Sequence, residues 1–261
     1  MNHDAVRVST EGAVARVTLN RPDVRNAFND EVIAAFTGAF RALDAHEAVR
    51  VVVLAAEGPA FCAGADLNWM RRMADYSREQ NLADAAGLAE MLRTIATCRK
   101  PTIARVQGDA YAGGMGLVAA CDLAVAADNA HFCLSEVKLG LIPATISPYV
   151  VRAMGERAAQ RYFLTAERFD AATAQRIGLI HEVATLSDLD ARVHQLTSAL
   201  LGASPQALAA CKRLLHEVCG RPIDTALIAR TVEYIADSRA SEDGRHGVQA
   251  FLAKGKPRWL A

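Results

Sequence analysis

The chain has 261 residues, 52 % of them apolar, with 29 basic and 29 acidic side chains and a formal charge of zero. That apolar content argues against disorder and for one large packed domain or one domain with a small appendage, and the charge balance removes any general pull toward nucleic acid or an anionic membrane. No apolar run reaches the roughly 18 residues of a membrane span, and Met1-Asn2-His3-Asp4 lacks the basic-then-apolar order of a secretory leader, so a soluble, cytoplasmic protein is expected.

In chain order, β-branched or continuous apolar runs predict strands over 13–20, 49–55, 102–107 and 123–127, and a strand-like stretch over 131–135. Helices are predicted over 30–44, with Phe36, Phe40 and Leu43 on one face, and over 80–98, carrying Leu88, Met91, Leu92 and Ile95. Alternation of strand and helix places the chain in the α/β class. After about residue 148 the pattern becomes helix upon helix: 155–164, 170–177, 188–201, 205–218, 222–240 and 242–254. Gly178 and Gly220 suit positions just past helix ends, and Pro205 and Pro222 suit first turns. The division expected is a core over 1–200 and a helical region over 201–261 that packs on the core or on a neighbouring subunit.

Two glycine-bearing turns carry the chemistry. Phe61-Cys62-Ala63-Gly64-Ala65-Asp66 and Tyr111-Ala112-Gly113-Gly114-Met115-Gly116 each follow an apolar run and each end where a helix begins. Main-chain N–H groups are unpaired at a helix start and glycine leaves them unobstructed, so Ala65 and Gly113 together form a candidate oxyanion hole. The plainer reading of Gly113-Gly114 is a tight turn under close helix packing, and Asp66 reads as an N-cap for the helix that starts at Leu67. Glu136 follows an apolar run, where desolvation would raise its pKa into the range useful for proton transfer; the alternative is a surface glutamate paired with Lys138. The six cysteines include no CxxC pair and read as reduced thiols, with a catalytic role open only at Cys62. His131, His181 and His216 have no partners at metal-ligand spacing, so no metal is expected.

Taken with their order and spacing, Leu19-Asn20-Arg21-Pro22, Arg25-Asn26-Ala27-Phe28, Phe61 to Leu67, Lys100 to Ala104, Gly108 to Gly116, Cys121-Asp122 and Glu136 to Pro143 make the chain resemble the crotonase superfamily of enoyl-CoA hydratases and isomerases over essentially its whole length. The resemblance implies a spiral of strand-strand-helix units assembled as a homotrimer or a dimer of trimers. It implies that Ala65 and Gly113 bind a thioester oxygen and that Glu136 is catalytic. It also implies that Arg25, Ala27, Ala63, Asp66 and Leu67 hold the adenine and pantetheine end of coenzyme A, while Phe251 and Lys254 reach a neighbour's nucleotide. Coenzyme A is then part of the substrate, and no separate cofactor is expected.

Two departures bear on mechanism. The position at which the best-known hydratases carry a first glutamate is Gly116 here, and Pro143-Ala144-Thr145-Ile146-Ser147-Pro148-Tyr149 replaces a glycine-rich stretch. A lone glutamate is also the arrangement of Δ3,Δ2-enoyl-CoA isomerases. The run Asp66 to Met70 together with Gly108 to Gly114 and Ser135 to Tyr149 is most similar to bacterial methylglutaconyl-CoA and isohexenylglutaconyl-CoA hydratases of leucine and acyclic terpene breakdown. A carboxylate-bearing substrate calls for a cation, with Arg71, Arg72 and Lys138 as candidates. From outside enzymology, the alternative is a non-catalytic acyl-CoA- or RNA-binding protein; the charge balance and the retained Glu136 speak against it.

Overall fold

The computed structural model describes residues 5–260. An edge hairpin opens the chain: β1 (Val6–Glu11) and β2 (Val14–Leu19), paired antiparallel across Gly12. Helix α1 (Asp30–Ala45) follows, its first turn capped by Asn29 and its face of Val32, Ile33, Phe36, Phe40 and Leu43 buried. Next come β3 (Val51–Ala56), α2 (Leu67–Met73) and α3 (Arg78–Ala96), the last started by a Ser77/Gln80 capping box. The chain continues through β4 (Thr102–Val106), β5 (Ala110–Tyr111), α4 (Gly113–Ala120), β6 (Leu123–Ala127) and β7 (His131–Cys133). The rest of the chain holds α5 (Ser147–Thr165), β8 (Phe169–Asp170), α6 (Ala171–Arg176), β9 (Glu182–Ala184), α7 (Leu189–Leu201), α8 (Pro205–Val218), α9 (Thr225–Ala240) and α10 (Glu242–Leu252).

Six strands form one sheet in the order β1-β2-β3-β4-β6-β9, parallel from β2 onward, and β5-β7-β8 form a second, three-stranded sheet. A parallel strand covered on both faces reads as a continuous apolar run, which is why Val51-Val52-Val53-Leu54-Ala55-Ala56 is buried at every position. The main core gathers α1, α3, α4 and α5 around one face of the larger sheet, while Val51, Val53, Ile103 and Val125 on the other face meet Leu189 and Val193 of α7.

Several boundaries differ from those expected. β1 escapes the sequence because most of it is an exposed edge with little apolar content to betray it. Two short strands, β8 and β9, interrupt the stretch read as helix upon helix. α5 begins at Ser147 rather than at Gly155, because Gly155 sits inside it with φ 75° and ψ 159° and breaks the helix that flanks it on both sides. Pro205 occupies the first turn of α8 under a Ser204 cap, whereas Pro222 precedes α9, whose cap is Asp224. Gly178 and Gly220 do lie past helix ends with φ 86° and 74°.

Helices α8 to α10 bury little of their own surface: α8 has no buried residue, α9 only Leu227 and α10 only Asp243. Polar ties hold them. Arg50 donates to the carbonyls of Leu201, Ala203 and Trp259, and Asp243 accepts from Ser204 and Arg258. Among the described residues no helix is long and apolar enough to cross a membrane.

Candidate active site

Strand register brings the two glycine turns and the glutamate together. Cys62 bridges Ala110, and Ala110 pairs with Phe132, all in parallel, so residues 62, 110 and 132 stand in one row. Three residues further along each parallel segment lie Ala65, Gly113 and Ser135, with Glu136 next. The Ala112 N–H donates to the Cys133 carbonyl at 2.8 Å, which keeps the chain leaving β5 beside the chain leaving β7.

The amides of Ala65 and Gly113 are both free to act. A parallel bridge between Phe28 and Ala65 uses the Gly64 carbonyl and the Asp66 N–H, so the Ala65 N–H is directed away from Phe28, toward the turn from β5 into α4. Neither the Ala65 nor the Gly113 N–H has an acceptor among the described residues. The turns touch: a Cβ placed on Gly64 would stand 3.0 Å from the Ala112 Cβ and 3.7 Å from the Gly113 nitrogen. Ala112 itself has φ 47° and ψ −121°, a conformation that costs a non-glycine residue about 1–3 kcal/mol and recurs at functional sites. It aims the first amide of α4.

Glycine at 113 and 114 has a different cause from open access to a ligand. A Cβ at Gly113 would meet Phe28 Cζ at 2.4 Å, and one at Gly114 would meet the Cys62 carbonyl oxygen at 2.5 Å. The turn is both tightly packed and amide-presenting, so the two readings of Gly113-Gly114 merge. At Gly116 a Cβ would fall 2.3 Å from Cγ2 of Ile146, itself 2 % exposed, and 3.5 Å from Leu92. The position of the absent first glutamate is therefore filled by Ile146, a member of the second departing stretch. The two departures are one packing event.

Glu136 opens a short 3-10 turn over Glu136–Leu139, ended by Gly140 at φ 73°. It makes no ion pair with Lys138. Its Oε2 is buried without a partner, and burial raises its pKa above the ordinary 4.5 against a smaller lowering by its own main-chain N–H. Such burial favours the protonated carboxyl more than bulk water does, which suits a group that passes a proton. Cys62 is no rival, since burial pushes its thiol up to about 12.

Around the amides, the remaining residues form a rim. Arg25 and Asn26 both take left-handed backbone angles, φ 51° and 55°, and the buried Asn26 side chain fixes that bend by donating to the carbonyls of Glu57 and Ala60. The Arg25 carbonyl accepts the Ala63 N–H at 3.0 Å, and the Ala27 carbonyl accepts from Arg21 at 2.6 Å. Asp66 caps α2 through Asn68 and Trp69 and pairs with Arg21 at 2.9 Å, so its carboxylate, N–H and carbonyl are all engaged within the chain. Leu67 is 69 % exposed beside it. Phe251, 81 % exposed, and Lys254, at φ 54°, stand at the end of α10, away from the elements that carry this rim. Arg71 bonds Asn68 and Arg72 pairs with Asp30 on the surface, which leaves Lys138 unpaired among the three candidate cations and the described residues. Arg21, Asn26, Phe28, Ala112 and Ile146 also build the site; in the sequence each stands out only as a member of a motif or a departing stretch, with no individual role.

Two free amides on facing turns beside a partly buried carboxyl form a site that can hold an oxygen gaining negative charge while a proton is moved. The sequence profile of the enoyl-CoA hydratase/isomerase family matches residues 9–261, and the chain belongs to that family, within the crotonase superfamily. A crystallised enoyl-CoA hydratase from Shewanella pealeana superposes with a TM-score of 0.96 at 45 % identity, over 99 % of this chain and 97 % of that one. The enoyl-CoA hydratase ACTT6 of Alternaria alternata is 34 % identical over 95 % of this chain and 82 % of its own length. The mevalonyl-coenzyme A hydratase sidH of Aspergillus fumigatus is 32 % identical over 93 % of this chain and 90 % of its own.

Proposed function

We propose that the protein adds water reversibly to a branched 2-enoyl-CoA such as 3-methylglutaconyl-CoA. The observation that carries this reading is the register that sets the free Ala65 and Gly113 amides level with Ser135, one residue before Glu136. The thioester oxygen accepts both N–H groups, so the negative charge that grows as C3 is attacked meets donors already in place; removing one such donor costs about 2.7–4 kcal/mol. Glu136 takes a proton from the water whose oxygen bonds to C3 and delivers one to C2. The carboxyl ends as it began, and one group with a free oxygen does the work of two.

Ile146 over Gly116 supports a single-carboxylate scheme, and the same observation favours a second reading, a Δ3,Δ2-enoyl-CoA isomerase that moves one proton between C2 and C4. Two points favour branched hydration. The relative sidH is named a mevalonyl-coenzyme A hydratase, and the mevalonyl group is a branched acyl chain. Lys138, two residues from Glu136 and exposed, is free to meet a substrate carboxylate.

Coenzyme A would lie along the Arg25, Ala27, Ala63 and Leu67 rim, with Asp66 shaping it through α2. Residues 201–261 would cover a neighbouring copy in a homotrimer or dimer of trimers, since Ile228, Val232, Ile235, Val248 and Phe251 leave an apolar face exposed. In that assembly Phe251 and Lys254 serve the neighbour's nucleotide. A panel of thioesters decides the chemistry: absorbance of the conjugated enoyl thioester falls on hydration of 3-methylglutaconyl-CoA and rises on isomerisation of a 3-enoyl-CoA. Absence of the first signal with presence of the second selects the isomerase.

A further inference from the structure

We infer that Phe28 sets the distance between the two oxyanion amides, an inference that rests on the reading of Ala65 and Gly113 as the oxyanion donors. Phe28 touches both halves of the hole through different parts of itself. Its N–H donates to the Gly64 carbonyl at 2.9 Å and its carbonyl accepts the Asp66 N–H at 2.9 Å, which fixes the peptide units on either side of Ala65. Its ring meets the other half end-on: a Cβ on Gly113 would lie 2.4 Å from Cζ, 3.1 Å from Cε1 and 3.4 Å from Cε2.

The ring cannot retreat. Phe28 is 2 % exposed and packs against Trp69 with centroids 6.2 Å apart, and Trp69 is itself tied by its indole N–H to Asp84 at 2.9 Å. The strained Ala112 adjoins the contact, and strain of this kind persists only where the surroundings over-determine it. A shift of α4 that relaxed Ala112 by moving Gly113 toward Phe28 runs into the ring tip. Phe28 is thus a positioning residue: it acts on the thioester through two amides and does not touch it.

The test is a cycle of Phe28→Leu, Gly113→Ala and the double variant, read by urea unfolding, by turnover of 3-methylglutaconyl-CoA and by the infrared carbonyl stretch of bound crotonyl-CoA labelled at C1. In the wild-type protein the stretch falls on binding. Phe28→Leu is expected to lose most of that fall and about 100-fold in kcat, the scale of an ångström of misplacement, while KM stays within a few-fold. Because leucine lacks the ring tip, it makes room for a methyl at 113, so the double variant turns over at least about tenfold faster than Gly113→Ala. Retention of both the shift and kcat in Phe28→Leu, or a double variant no faster than Gly113→Ala, overturns the inference and leaves the oxyanion reading intact. An unshifted carbonyl in the wild-type protein removes the oxyanion reading itself and Phe28's role with it. Should Phe28→Leu fail to fold, Phe28→Tyr keeps the ring and adds an oxygen at its tip; loss of the shift supports the inference and an unchanged shift overturns it.

Discussion

Gly116→Ala is expected to weaken the fold, although alanine is the better helix former. Alanine in a helix interior is favoured over glycine by about 0.8–1.0 kcal/mol, and Gly116 has no left-handed angle that would cancel the gain. Against it, the new methyl would stand 2.3 Å from Cγ2 and 2.9 Å from Cβ of Ile146, where carbons rest at about 3.5–4.0 Å. Ile146 is held, since its carbonyl accepts the N–H groups of Tyr149 and Val150 at the start of α5. Overpacking of this kind costs about 1–3 kcal/mol, so the net loss is up to about 2 kcal/mol. Ile146→Ala alone empties core volume and costs about 2–5 kcal/mol. If residues 116 and 146 share one space, the double variant loses less than the sum of the two, by about 0.5–3 kcal/mol. Urea unfolding of the four proteins at one protein concentration measures the coupling. A stabilised Gly116→Ala, or effects that add within about 0.5 kcal/mol, would refute the claim that Ile146 fills the place of the missing side chain.

Other consequences follow from the same geometry. Burial raises the folded-state pKa of Glu136 above 4.5, so the folded chain holds that proton more tightly than the unfolded one, and stability falls as pH rises from 4.5 through the raised value. Glu136→Gln is therefore expected to raise Tm at neutral pH, with the difference vanishing near pH 4; an equal difference at both pH values would contradict the sign. Burial pushes the Asp66 carboxyl up, but hydrogen bonds from Arg21, Asn68 and Trp69 outweigh it and hold it below 3.8, so its contribution is present above 3.8 and lost as pH falls through the depressed value. Asp66→Ala, which removes the cap and strands Arg21, should cost about 2–4 kcal/mol in urea unfolding at pH 7. Sedimentation should find the wild-type chain as a trimer or hexamer, and Ile228→Glu with Val232→Glu should shift it toward monomer; an unchanged mass would place the interface elsewhere.

Much of this fold and site is legible in the sequence itself. The continuous valine run of β3 and the Phe36, Phe40 and Leu43 face of α1 declare burial directly, because covered strands and core-facing helices leave those patterns. The two glycine turns and Glu136 were legible because backbone amides need small residues around them. What the sequence could not display was contact between distant positions. Gly116 and Ile146 are thirty residues apart and meet only once α5 lies over α4, and nothing in either segment alone says that a methyl group occupies the glutamate's place. Likewise Phe28 reads as an ordinary apolar residue in a polar loop until its ring is found against Gly113. Edge strand β1 and the Gly155 break hid for a local reason: exposure removes the apolar signal, and a left-handed glycine inside a helix reads as a boundary.

In this mechanism the Ala65 and Gly113 amides hold a thioester oxygen while Glu136 alone carries the proton. Its most direct test is the decay of enoyl absorbance on 3-methylglutaconyl-CoA in wild-type protein and in Glu136→Gln, with thioester affinity measured in parallel. Expected are hydration by the wild type, loss of at least about 100-fold in kcat on substitution, and affinity kept within a few-fold. A substituted protein that hydrates at near the wild-type rate would contradict it.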